Sequence, residues 1–266
     1  QALEPDVLLL DEVAGDITPE GVHEFLSLDP MTRLGTWHFV LGESGGRQRS
    51  VVAARDRAIR PAESMRRVDY APGELEALAT RLPAESGRLV VLERERGLSD
   101  TGAWIDMGGS EVLFVPVDLQ SAGWAGSPQD LLRILQARTI RGHILEERGD
   151  ARGPVVLGGD LNLVGSRDPL DTLVAKLDTD ESDLTVVEAE RVGERTHATW
   201  RSARTPFAPG RLDFILVPDA AVEVVGSFVF GTEDLDREAL RRFGLESDLS
   251  ERLSDHLPVV ADLKFR

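Results

Sequence analysis

The chain has 266 residues, 41% of them hydrophobic, with no cysteine and a formal net charge of -17 at pH 7. That length and apolar content suit one packed domain, and the lack of cysteine excludes disulfides, thiolate metal sites and cysteine nucleophiles. An acidic surface of this size opposes tight non-specific binding to polyanions, and no apolar run reaches the roughly 20 residues that span a bilayer.

In chain order, Val7–Leu10 is a short apolar run closed by Asp11-Glu12, the pattern of a buried strand ending on two carboxylates. Thr18-Pro19-Glu20 supplies a cap, a first-turn proline and a first-turn acid for a helix through Ser27. Trp37–Leu41 and Ser50–Ala54 read as a hairpin around Ser44-Gly45-Gly46. Seven arginines (47, 49, 55, 57, 60, 66 and 67) then stand against Asp56 and Glu63. They form an anion-attracting patch if they line one cleft, and solvated strand faces if they do not.

Pro72-Gly73 opens a helix over Glu74–Arg81, Leu89–Glu93 reads as a strand, and Ala103–Met107 with Val112–Leu119 forms a second hairpin around Gly108-Gly109. The loop Ser121–Pro128 carries a short apolar tip, Ala122-Gly123-Trp124-Ala125. Asp130–Glu147 has apolar residues at 131, 132, 135, 140 and 144, the spacing of an amphipathic helix. Val155–Leu157 is a strand leading into Gly158-Gly159-Asp160, and Pro169–Leu177 a helix. Phe214–Val217, Val222–Val229 and Pro258–Leu263 complete the strands. Hairpins interleaved with a few helices predict mixed sheets with helices outside, in one domain over residues 1–266. No Gly-x-Gly-x-x-Gly loop, Gly-x-Ser-x-Gly elbow or His-Glu-x-x-His motif is present.

Four segments place hard oxygen donors or a titratable group at a strand end: Glu12; Asp160 with Asn162; Asp213; and Asp255 with His256. Strand ends on one edge of a sheet converge in space. Carboxylates without cysteine favour a hard cation such as Mg²⁺, with Mn²⁺ or Ca²⁺ as alternatives.

The stretches Pro5–Val13 (PDVLLLDEV), Gly159-Asp160-Leu161-Asn162, Arg211–Leu216 (RLDFIL) and Ser254–Val259 (SDHLPV) resemble, in this order, the motifs of the endonuclease/exonuclease/phosphatase superfamily. The resemblance implies an α/β (α+β) fold, a four-layer α/β/β/α sandwich of two mixed sheets packed face to face with helices outside. It also implies a divalent-metal-dependent hydrolase of phosphoester bonds, acting on nucleic acid, a small phosphodiester or a lipid headgroup. On it, Glu12 and Asp255 are the expected metal residues. Asp160 activates the attacking water, Asn162 helps hold water and phosphate, and His256 bonds a phosphoryl oxygen with its tautomer fixed by Asp213.

Two departures are visible. The family's mid-chain His is replaced by Asp118 in Val117-Asp118-Leu119, an extra ligand or an acid of raised pKa at the substrate. The family's first strand, with its Asn, would lie upstream of Gln1. Both leave open a second reading, a weakened or non-catalytic binding module on the same fold. Arg167, His197 and Arg211 are further candidates for touching substrate, with packing as the alternative role, and Trp200 is expected in the core. A monomer is expected. So is a processed N-terminus, since the chain opens on Gln1, which favours a secreted or extracytoplasmic setting.

Overall fold

The computed structural model describes residues 3–202 and 204–266. It opens with β1 (Val7–Ala14), α1 (Pro19–Leu26) and α2 (Asp29–Thr32), then the hairpin β2 (Trp37–Leu41) and β3 (Gln48–Arg55), and β4 (Ile59–Pro61). Next come α3 (Glu74–Ala79), α4 (Gly87–Arg96), β5 (Ala103–Asp106), β6 (Glu111–Asp118), α5 (Pro128–Arg148) and β7 (Val155–Asp160). The chain finishes with α6 (Asp168–Val174), β8 (Thr185–Val186), β9 (Glu190–Arg191), β10 (Asp213–Val217), β11 (Val222–Val229), α7 (Arg237–Phe243), α8 (Leu249–Leu253) and β12 (Val259–Phe265). Among the described residues no helix is long and apolar enough to cross a membrane.

The expected sandwich is present. One layer is a six-stranded sheet in the order β4-β5-β6-β7-β10-β8, in which β6 and β7 run parallel and the other neighbours antiparallel. The facing layer is in two pieces, β2-β3-β1 and β12-β11-β9. β1 packs over β6 and β7, and β12 over β10, so both pieces lie on the same face of the large sheet. Among the described residues β1 pairs only with β3, and β12 only with β11.

Side chains in a strand alternate between faces, and this alternation sorts the core. Val112 and Phe114 of β6, Val156 of β7, and Ile215 and Val217 of β10 meet Val7 and Leu9 of β1 between the sheets. Leu113, Val115, Val117, Val155, Leu157, Phe214 and Leu216 point the other way, against Ala137, Ile140 and Ile144 of α5. Leu8 and Leu10 of β1 face Val22 and Leu26 of α1. Each fully buried Leu, Ile or Phe contributes about 1.5–3 kcal/mol of hydrophobic stabilisation.

Helix α5 starts where Ser127 accepts from the Asp130 amide, and it makes the crossover that parallel β6 and β7 require. It also carries a buried ion pair that ties loops together. Arg133 Nη2 lies 3.2 Å from Asp130 Oδ1, and Arg133 Nη1 donates to the carbonyls of Gln120 and Ala122, both at 2.7 Å. Asp130 accepts from the amides of Gly126 and Ser166. The loops after β6 and β7 are thereby held by one pair on one helix.

One expected strand is a helix. Leu89–Glu93 lies inside α4, because its apolar residues pack sideways onto helices: Val90 is buried with Leu75 and Leu78 of α3 and Leu132 and Leu135 of α5. Gly97, at φ 67°, ends it. The short strands β4, β8 and β9, and helices α7 and α8, carry too few residues for a periodic signal.

Candidate active site at the open end of the sandwich

Asp118, Asp160 and Asp213 sit directly beside one another across three strands, since Asp118 pairs in register with Asp160, and Asp160 with Asp213. Their positions share the parity of Val112, Val156 and Ile215, so they continue the inter-sheet face where its apolar residues stop. Asp11 has the parity of Val7 and Leu9 and faces them from β1, its Oδ2 accepting from the Asp160 amide at 3.2 Å. Four carboxylates thus line one rim between the sheets.

Local backbone makes this possible. The β1–β3 register shifts between Leu10 and Val13, and Glu12 adopts φ 50°. This bulge breaks the alternation that would send Glu12 to the helix side. Gly159, at φ 144°, has no room for a side chain: a Cβ there would lie 2.2 Å from the Val117 carbonyl and 2.9 Å from Asp11 Oδ2. Asn162 holds φ 47°, a left-handed conformation its type tolerates, with its amide donating to Asp160 Oδ1 at 2.7 Å and its side chain to the Leu119 carbonyl at 2.8 Å.

His256 reaches this rim from the segment before β12. Its Nδ1 lies 2.9 Å from Asp213 Oδ2, and its Nε2 3.9 Å from Asp160 Oδ2. Burial alone pushes the imidazolium down, but the hydrogen bond and charge of Asp213, with Asp160 and Asp255, outweigh it and raise the pKa to about 9. Burial and then neighbouring negative charge push the acids up: Asp11 to about 6, Asp160 to about 7 and Asp118 to about 9. Asp100 is buried beneath them with its pKa raised by burial to about 8; its Oδ1 accepts from the Asp118 amide, and its Oδ2 has no partner.

The two expected metal residues stand at the margin of this rim, near enough for the charge of Glu12 to act on Asp118 and that of Asp255 on His256. Glu12 is exposed and accepts from Gln48 Nε2 at 2.8 Å; Asp255 is exposed and accepts from Trp200 Nε1 at 3.1 Å. Among the described residues no group of three His, Asp or Glu side chains is gathered tightly enough to hold an ion. The donor chemistry nevertheless fits a hard cation, because Asp11, Asp118, Asp160 and Asp213 bring oxygen donors together, burial and neighbouring charge raise the pKa of the first three, and Asp100 keeps an unpartnered oxygen beside them.

Of the other candidates, Asp118 and Asn162 line a cleft of about 430 Å³ that opens beside the rim, together with Glu12. Arg167 pairs with Asp171 at 2.9 Å. Arg211 binds Glu188 at 2.9 Å and the Val187 carbonyl at 2.6 Å, and stacks on Phe214. His197 Nδ1 bonds the Ala189 carbonyl at 2.8 Å. These three are held by structural partners rather than by the carboxylate group. The arginine series divides similarly: Arg55, Arg60, Arg66 and Arg67 pair with acids, Arg49 and Arg57 bond carbonyls, and Arg47 lines the cleft.

Three contributors escape the sequence reading. Asp11 was hidden by the adjacent Glu12. Thr199 is buried, and its hydroxyl accepts from the amides of Leu212 and Asp213, both at 3.0 Å, fixing the start of β10. Trp200, expected in the core, is half-buried; it bridges in register to His256 and donates to Asp255.

Comparison with known proteins gives the family and the fold. A model of the Endonuclease/Exonuclease/phosphatase family matches residues 1–256. Among solved structures the fold is shared with an endonuclease/exonuclease/phosphatase from Bacteroides vulgatus (17% identity, TM-score 0.55, covering 99% of this chain and 86% of that one). It is shared likewise with an AP endonuclease from Archaeoglobus fulgidus (16%, 0.52, 97% and 89%) and a mannosyl-6-phosphatase from Bacteroides thetaiotaomicron (15%, 0.51, 98% and 85%). No curated protein sequence matches the chain. With its ordered motifs gathered at one rim of a β-sandwich and its length matched almost throughout, the chain belongs to the endonuclease/exonuclease/phosphatase family.

Proposed function

We propose that this protein hydrolyses phosphoester bonds with the help of a divalent cation, Mg²⁺ being the first choice. The observation that carries the proposal is Asp160 and His256 facing each other at 3.9 Å, with Asp213 behind the imidazole. That separation lets one oxygen, of water or of a phosphoryl group, bond both. Asp160, with its pKa near 7, accepts a proton from water as the water oxygen bonds to phosphorus and the ester oxygen leaves on the opposite side. His256, protonated at neutral pH, donates from Nε2 to a phosphoryl oxygen as negative charge builds there. Asn162 holds Asp160 in orientation through its amide. A bound cation supplies Lewis-acid stabilisation of the same oxygens; Glu12 and Asp255 are proposed to hold it.

The presence of an AP endonuclease and a mannosyl-6-phosphatase among proteins of this fold supports phosphoester chemistry without choosing between them.

Incubation with Mg²⁺ or Mn²⁺ and bis(p-nitrophenyl) phosphate, p-nitrophenyl phosphate or plasmid DNA, with and without chelator, tests the proposal. Chelator-sensitive turnover lost in Asp160→Asn and His256→Ala is the expected result. No such turnover on any substrate replaces the hydrolase by a non-catalytic binding module.

A further inference from the structure

The wall of the cleft opposite Asp118 and Asn162 is built from the turn before β3 and the C-terminal end of α4, and it presents Arg47 and Arg96. This wall is braced. The Gly45 amide donates to the Arg96 carbonyl at 2.8 Å, and buried Ser44 accepts from the Val68 amide at 3.0 Å. A Cβ on Gly46 would lie 2.8 Å from Arg96 Cγ, so the arginine stem lies along the turn. Gln48, next to the turn, bonds Glu12 and links this wall to the carboxylate rim.

Among the described residues no acid lies within 4.0 Å of the Arg47 or Arg96 guanidinium. The acid on the same wall, Glu93, is engaged by the Tyr70 hydroxyl and by Gln136 Nε2 at 3.2 Å, and acts on Arg96 only at longer range. The cleft therefore has a cationic end and a carboxylate end, joined by a space of about 430 Å³, within the range that small-molecule sites occupy.

We propose that Arg47 and Arg96 bind a second phosphate of the substrate, so that the preferred substrate class is a phosphoester carrying another phosphate group. The inference rests on the phosphoester reading of the carboxylate end. Two guanidiniums suit phosphate oxygens in charge and in the planar fork of their donors. A simple monoester leaves this end of the cleft empty. The shared chemistry is a pair of phosphates, supplied either by neighbouring links of a nucleic-acid strand or by a small bisphosphate.

Calorimetry on the intact chain with adenosine 3′,5′-bisphosphate and adenosine 5′-monophosphate tests it without requiring turnover. The bisphosphate is expected to bind about tenfold tighter or more, as charge-assisted arginine bonds warrant. Arg47→Ala and Arg96→Gln should bring that ratio close to one, with Arg96→Lys restoring part of it and melting temperatures reporting that each variant folds. A ratio near one in the unaltered protein, or a ratio unmoved by both substitutions, overturns the proposal. 5′-Phosphorylated oligothymidylates of increasing length separate the sources. Affinity that grows with length supports a nucleic-acid strand, and affinity no better than the bisphosphate's supports a small molecule. Arginine-dependent selectivity in a protein inactive on every substrate would overturn the hydrolase and leave the second-phosphate site standing.

Discussion

Asp213 Oδ2 lies 2.9 Å from His256 Nδ1, two side chains 43 residues apart that meet because β10 and the segment before β12 share one end of the sandwich. The contact makes Nδ1 the donor to Asp213 and leaves Nε2 aimed towards Asp160. Asp213→Asn should lower kcat about 10²–10³-fold, the usual cost of losing a charge-stabilising bond in a preorganised site. It should also move the alkaline limb of the pH–rate profile towards the free-histidine value of about 6.5. His256→Ala should lose a similar factor and lack that limb.

The pH dependence of activity follows from the two facing groups. Asp160 must be ionised, with its pKa near 7, and His256 protonated, with its pKa near 9. The rate is therefore expected to rise through about pH 7 and fall through about pH 9. Added cation, favouring the carboxylates, should shift the acid limb to lower pH. A flat profile between pH 6 and 10 would contradict the assignment of both roles.

Stability should follow the same groups. Folding raises Asp11, Asp160, Asp100 and Asp118 above an ordinary carboxylate and His256 above an ordinary imidazole, so the folded state binds more protons than the unfolded one. Stability from His256 is complete below about pH 6.5 and is lost as pH rises through 9, and the acids lose theirs from about pH 4 upward. The melting temperature without cation should fall between pH 5 and 9. Mg²⁺ should raise it more at pH 8 than at pH 6, in scanning calorimetry.

The Asp130–Arg133 pair is buried on both sides, with side-chain exposures of 2% and 0%. Asp130→Ala strands the guanidinium and frees two loop amides, and should cost about 3–5 kcal/mol of stability in urea titration. The double replacement Asp130→Leu with Arg133→Met removes both charges and should cost less than the single change.

Asp118, pushed up to about 9 by burial and by the charges of Asp11, Asp100, Asp160 and Glu12, is a neutral acid at pH 7. Asp118→Asn keeps a donor of the same shape and should retain activity within about tenfold, while Asp118→Ala should lose about 10²-fold. Equal losses in both variants would mean that the carboxylate charge, not the donor, is what the site uses.

The principal strands are legible as short apolar runs bounded by turn residues, and the long helix because burial on one face imposes a period of 3.6. Asp160, Asn162, Asp213 and His256 were legible because strand-end polar residues sit in short ordered motifs. Leu89–Glu93 was misread because a short apolar run has the same composition whether it packs on a sheet or, as here, on α3 and α5. Arg167, His197 and Arg211 each admit a substrate or a packing role from sequence, and the partners that the structure gives them are Asp171, Ala189 and Glu188.

The amino-acid order by itself determined the layers, the family and the candidate residues for chemistry, since each depends on patterns within a few neighbours. Tertiary structure alone decided which of those residues meet. It brought Asp11 to Asp160 across 149 positions, turned Glu12 towards Gln48 through a bulge, and set Arg47 and Arg96 on one wall. Register between strands and the seating of one layer on another are non-local, and no short segment encodes them.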